Sequence, residues 1–273
     1  MKIQSAHKQF FPAATLAWTA SLLVGTVWAD ATDPTDNHEH HYFHKKEKED
    51  APQWGYEGKL GPSFWAKLSP RFQLAATGKR QSPIDLAEMA KTKLPPIKFN
   101  YKPCKIRLVY NGHTIEEMEE KGSSITVDGK DYELKQFHFH SPSEHTLHGK
   151  HFDMEMHLVH MNDDGEIAVI GVFIQQGDAN AWFGPVWDYL PSKENKNRNF
   201  ELNINVEDAL PPNRDYTSYS GSLTTPPCTE DVKWMILKRP IELSKRQIDA
   251  FRKTIDGNNR PVQPLNKRVV YTE

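Results

Sequence analysis

Apolar and polar residues alternate with a period of two over several stretches of the 273-residue chain. That period marks strands with one buried face. Strand-like runs cover Ile106 to Tyr110, Ser124 to Val127, Tyr132 to His140, Phe152 to Met161, Ile167 to Ile174 and Val232 to Leu237. Turn signals separate several of them: Asn111-Gly112, Asp128-Gly129 and Asn162-Asp163-Asp164-Gly165. Runs of this length joined by such turns predict mostly antiparallel pairing. One helix is marked after Ser244, which with Gln247 makes an S-x-x-Q capping box. Leu243 and Ile248 suit the accompanying hydrophobic staple, Ile248, Phe251 and Ile255 recur on one face, and Gly257 ends the helix. A second, short helix is predicted from Phe183 to Leu190. Trp54, Phe64 and Trp65 sit among Gly and Pro and predict an irregular, aromatic-pinned segment. No internal repeat appears. The fold class expected is mainly β: a single domain with a central twisted, largely antiparallel sheet and a few peripheral helices.

The N-terminal pattern is different. Lys2 and Lys8 precede an apolar stretch from Phe10 to Val27, and Val27-Trp28-Ala29 sets small residues where an export peptidase cuts. Residues 1–29 are therefore expected to be a signal peptide cut after Ala29, which predicts a periplasmic or secreted protein with no membrane span after cleavage; an uncleaved membrane anchor is the alternative, since the stretch approaches spanning length. Residues 30–52 lack apolar periodicity and read as a disordered linker of mixed charge, leaving 53–273 as the globular domain. His38, His40, His41 and His44 fall in that linker, where an unstructured spacer is the plainer reading and metal scavenging the alternative. Net charge is only −2, with 34 Lys and Arg against 36 Asp and Glu, so the basic footprint of a nucleic-acid binder is missing. Cys104 and Cys228 are the only cysteines, too few for a disulfide framework.

Histidine placement changes the picture from fold to chemistry. In a strand, Gln136, His138 and His140 share one face while Phe137 and Phe139 take the other. Read the same way, Glu155, His157 and Val159 share a face, and Met154, Met156, Leu158 and His160 point to the core. If the two strands pair, three imidazoles converge. Three neutral imidazoles suit Zn(2+) and leave a fourth position for water. Gln136 and Glu155 are placed to accept from the outer ring nitrogens, which fixes tautomers. His145, His148, His151 and His160 read as structural.

Gln136-Phe137-His138-Phe139-His140, Ser143-Glu144-His145, Glu155 to His160 and Gly221 to Pro227 resemble the motifs of alpha-class carbonic anhydrases, in their bacterial, secreted form. Gln81 to Ile84, Asn111-Gly112-His113 and Arg260 to Leu265 support the likeness, which runs from about Trp54 to the C-terminal end. The resemblance implies reversible hydration of carbon dioxide to bicarbonate and a proton, by hydroxide on a zinc held by His138, His140 and His157. It implies that the Asn258 carbonyl orients His140. Thr224 would accept from the hydroxide and give its own proton to Glu144. Val159, Val169, Leu223, Thr225 and Trp234 would line the substrate pocket, and His113 would shuttle the proton. Carbon dioxide and bicarbonate are the partners expected; a homodimer is one assembly the resemblance allows.

The chain also departs from the family's pattern. Ala76 stands where bacterial members commonly carry the cysteine that pairs with the one matching Cys228, so no bridge between Cys104 and Cys228 is expected. Glu116 replaces a usual amide in the cleft, where a carboxylate near His113 would raise its pKa. Asp231 replaces a small uncharged residue. A second reading is a catalytically silent relative acting as binding module or zinc store; retention of all three ligand histidines favours the enzyme.

Overall fold

A computed structural model describes residues 52–119, 122–188, 190 and 197–273. The expected signal peptide and His-rich linker lie outside the described residues. Within Pro52–Glu273 the chain forms one compact unit. Its frame is a 12-stranded sheet. The central strands run, in spatial order, Tyr216–Ser222, Glu230–Leu243, Ile167–Gln176, Met154–Met161, Lys130–His140, Ile115–Glu119 and Cys104–Tyr110. Pairing is largely antiparallel, as the turns predicted. The exceptions are Ile167–Gln176 beside Glu230–Leu243, and Ala90–Lys91 beside Tyr271–Thr272, both parallel.

Local chemistry explains the tight turns. Asp128 and Gly129 both have positive φ, 52° and 73°, and close the hairpin between Val127 and Lys130. That is the two-residue geometry an Asp-Gly pair favours. The predicted helix spans Lys245–Thr254, with Ser244 and Gln247 completing a reciprocal capping box. It stops at Ile255, two residues short of Gly257, whose φ is +70°. The shorter helix covers Phe183–Trp187 only. Several strands had no prediction; the longest are Asn197–Ile204, Tyr216–Ser222 and Ile115–Glu119. Of these, Tyr216–Ser222 is the one whose sequence explains the miss. It reads Tyr-Thr-Ser-Tyr-Ser-Gly-Ser, so its buried positions are mostly hydroxyl side chains rather than an apolar alternation.

The sheet separates two apolar clusters. Phe137, Phe139, Met156, Leu158, Val172 and Leu237 belong to the larger, with the helix residues Ile248 and Phe251 packed among them. Each fully buried aromatic or aliphatic side chain contributes roughly 1.5–3 kcal/mol from burial. Val169, Phe173, Tyr219 and Trp234 belong to the second cluster. The alternation that buries Phe137 and Phe139 turns His138 and His140 to the opposite face.

Candidate active site

His138 pairs with His157 in the register of adjacent antiparallel strands, so both imidazoles leave the sheet side by side. His140 follows on the same face. One ring nitrogen from each of His138, His140 and His157 lies within 4.8 Å of the others. The remaining ring nitrogens are all spent. His138 Nδ1 donates to Gln136 Oε1 at 2.7 Å, His140 Nδ1 to the Asn258 carbonyl at 2.7 Å, and His157 Nε2 to Glu155 Oε1 at 2.9 Å. Each bond fixes a tautomer and leaves one lone pair facing inward. His140 Nε2 is buried without a hydrogen-bond partner. Burial, together with the neighbouring imidazoles, pushes His138 well below the usual histidine range. Burial also lowers His140, against the opposing pull of Glu144. Neutral rings are the form that ligates a metal.

A second group, His145, Glu155 and His157, also lies close enough to hold an ion. Its atoms are already committed. Glu155 Oε1 accepts from His145 Nδ1 at 2.8 Å and from His157 Nε2, while Oε2 accepts from the backbone N–H groups of Glu144 and His145, each at 2.9 Å. Burial alone would raise the Glu155 carboxyl, but His145 and His157 outweigh it and hold it well below the usual range. His145 Nε2 in turn accepts from the Tyr219 hydroxyl at 2.6 Å, and Tyr219 meets Ser82 Oγ at 2.7 Å. His145, read from sequence as merely structural, therefore braces the carboxylate that orients His157. Gly171 pairs with His157, and a Cβ there would come within 2.5 Å of Ile236 Cδ1 and 3.1 Å of Glu155 Oε1.

Glu144 is fully buried beside the triad. Its Oε1 accepts from the Arg260 backbone N–H at 2.8 Å. Its Oε2 has no hydrogen-bond partner and lies 3.4 Å from His140 Nε2 and 3.9 Å from His157 Nδ1. Thr224 is buried too, but among the described residues no hydrogen bond joins it to Glu144. The segment leading to Thr224 is pinned by Trp234 Nε1, which donates to the Ser222 carbonyl at 2.9 Å. Thr225 is half-buried, and its carbonyl accepts from the Cys228 N–H at 2.9 Å. Val169 and Trp234 are buried together, with Val159 and Leu223 packed against them. The Trp234 ring stands 4.8 Å from that of His157. An apolar wall thus adjoins the imidazole cluster.

His113 lies at the turn of Asn111-Gly112, whose Asn111 Oδ1 accepts from the His113 N–H at 2.9 Å. Its ring stacks on Trp54 with centroids 3.6 Å apart. Half-burial there lowers its pKa. The backbone of Glu116 pairs with that of His138, while its side chain lies outside the described residues. Cys104 and Cys228 form no disulfide.

Fold and site together define a large-sheet protein with a buried three-histidine cluster that could hold a metal ion. The family model described as eukaryotic-type carbonic anhydrase matches residues 60–273, and the chain belongs to that family. It is 42% identical to the carbonic anhydrase of Neisseria gonorrhoeae over 221 residues, 80% of this chain and 86% of that protein. The alpha-carbonic anhydrase of Thermovibrio ammonificans, solved with the inhibitor sulfanilamide, superposes with a TM-score of 0.79 at 46% identity, covering 81% of this chain and all of that one. Dioscorin, solved with ascorbate, shares the fold at 30% identity and a TM-score of 0.74, over 80% of this chain and 97% of that one. The protein is a carbonic anhydrase enzyme acting on carbon dioxide and bicarbonate. Among the described residues no helix is long and apolar enough to cross a membrane.

Proposed function

We propose that this carbonic anhydrase works with one zinc ion held by His138, His140 and His157. One observation carries the reading: three inward ring nitrogens converge within 4.8 Å of one another, His140 Nε2 buried without a partner, while the outer nitrogens are all satisfied. The donor set fits the ion, since three neutral imidazoles are a zinc ligand set with a position to spare. Bound zinc supplies the Lewis acidity that lets water ionise near neutral pH and attack the carbon of carbon dioxide, chemistry for which carbonic anhydrase is itself the standard example.

The remaining work falls to this chain's own side chains. Val159, Val169, Leu223 and Trp234 would give the apolar substrate a surface, and Thr225, next in the chain after Thr224, would contribute to it. Glu144 Oε2, bare in this structure, is the acceptor to which Thr224 would commit its hydroxyl proton. Thr224 could then only accept a hydrogen bond from the attacking group, which aims that group's lone pair. His113 carries the product proton toward solvent. The leader from Lys2 to Ala29 supports export of the mature protein.

Metal analysis and stopped-flow carbon dioxide hydration on one sample test this. One zinc per chain and hydration that disappears in His157→Ala are expected. Undiminished hydration by that variant would remove the assignment.

A further inference from the structure

Arg260 is 1% exposed, and among the described residues its guanidinium forms no ion pair with a carboxylate. Nη1 donates to Gln81 Oε1 at 3.0 Å and to the Ser82 carbonyl at 2.7 Å, and Nη2 donates to the Ala75 carbonyl at 3.1 Å. The guanidinium lies 5.4 Å from the centre of the Trp65 ring. Burying a cation whose hydrogen-bond acceptors are all neutral is costly, and the nearby Glu144 charge offsets only part of that, so its retention asks for a task.

The task is visible in the backbone that carries it. The stretch from Asn258 to Arg260 has no regular secondary structure, yet it supplies two backbone groups to the site. The Asn258 carbonyl accepts from His140, and the Arg260 N–H donates to Glu144. No helix or sheet ladder aims these groups. The Asn258 side chain fixes one end: Oδ1 accepts from the Ser141 N–H at 2.8 Å, and Nδ2 donates to the carbonyls of Phe139 at 2.9 Å and His113 at 3.2 Å. The Arg260 side chain, through its fork of three bonds, fixes the other end.

We propose that the Arg260 guanidinium is a positioning residue that clamps this loop to the segment from Ala75 to Ser82, and so aims the groups that hold His140 and Glu144. The inference rests on the zinc reading above. Its consequence is that zinc retention and turnover depend on a contact with a segment that supplies none of the proposed zinc ligands. Gln81 extends the clamp, since its Nε2 donates to the Cys228 carbonyl at 3.0 Å, four residues beyond Thr224.

The test uses zinc-loaded full-length protein and three variants: Arg260→Lys, Arg260→Met and Gln81→Met. Zinc release into excess chelator, kcat, kcat/KM and the thermal midpoint are measured for each. Partners that orient metal ligands commonly carry about tenfold to hundredfold in affinity or activity. Arg260→Met should release zinc faster and lose kcat/KM by amounts in that range. Arg260→Lys should fall between it and the parent, because an ammonium donates but cannot reproduce the planar fork. Gln81→Met should shift both quantities the same way, by less. A purely structural role predicts a lower midpoint with parental zinc release and parental kcat/KM, and that result overturns the proposal. If the Arg260 variants do not fold, Gln81→Met decides, and parental values in it overturn the proposal equally. If the parent holds zinc but hydrates no carbon dioxide, the functional reading fails while the zinc-release comparison still judges the clamp.

Discussion

Glu155→Gln separates the orientation of His157 from its mere presence. The two carboxylate oxygens accept four hydrogen bonds, two from backbone N–H groups and two from imidazoles. Glutamine offers an oxygen at one of those positions and a donating nitrogen at the other. The N–H groups of Glu144 and His145 cannot reverse polarity, so the amide oxygen stays with them. The amide nitrogen then faces His145 Nδ1 and His157 Nε2. His157 can accept there only by moving its proton to Nδ1, the nitrogen that faces the other two imidazoles' site beside Glu144. In that tautomer Nδ1 has no lone pair to give an ion. A hydrogen bond to a charged partner contributes about 1.5–3 kcal/mol. Taking about 2 kcal/mol for the one that acts through His157, at about 1.4 kcal/mol per decade, zinc affinity should fall roughly thirtyfold. The Glu155 carboxyl is held well below its ordinary range, so the parent carries the charge at any pH from 6 to 8. Competition with a chromophoric chelator in that window, with circular dichroism as a check on folding, gives the number. A folded variant with the parental zinc dissociation constant would refute the tautomer argument.

Thr224→Ala should keep zinc and lose about tenfold to a thousandfold in turnover, the usual scale for a positioned hydrogen bond at a reacting centre; unchanged kcat with zinc retained would exclude the role. His113→Ala should lower kcat more than kcat/KM in dilute buffer, with partial recovery on adding imidazole; equal kcat in both proteins at low buffer would assign the proton to another path. His160 is buried with its Nδ1 on the Ala168 carbonyl and its Nε2 accepting from Tyr101, and burial pushes it down to about 3. Its folded pKa lies below the unfolded one, so the unfolded chain takes up the proton first and stability is lost as pH falls from about 6.5 toward 3. Between pH 7 and pH 5 that loss is about 2 kcal/mol, and His160→Gln should remove it from the pH dependence of urea unfolding; an unchanged slope would count against it.

What could be read from sequence was what side-chain alternation carries. His138 and His140 share a face because they stand two apart in a strand, and His157 joins them once its strand pairs. Gln136 and Glu155 were legible for the same reason. The capping box at Ser244 announced its helix because both of its bonds are local. The parallel pairing of Ile167–Gln176 with Glu230–Leu243 was not legible, since its register links positions more than 60 apart with no turn to mark it. His145 looked inert because it lies outside the strands, so no alternation points it at Glu155, and its other partner, Tyr219, is 74 residues away.

Arg260 shows the limit most clearly. A charged residue in a Pro-rich segment reads as surface by composition, and only its acceptors at Ala75, Gln81 and Ser82 draw it inside. The groups it aims are backbone atoms. A carbonyl at position 258 or an N–H at position 260 would exist whatever side chain stood there, so no residue pattern encodes their direction. Direction has to come from neighbouring side chains that spend their own hydrogen bonds on fixing the loop. Asn258 and Arg260 have that pattern: their side-chain polar atoms are spent on fixing the loop, and their main-chain atoms on the site. In a site built this way, the substitutions that matter extend past the residues whose side chains meet metal or substrate, to those whose side chains hold a backbone group in place.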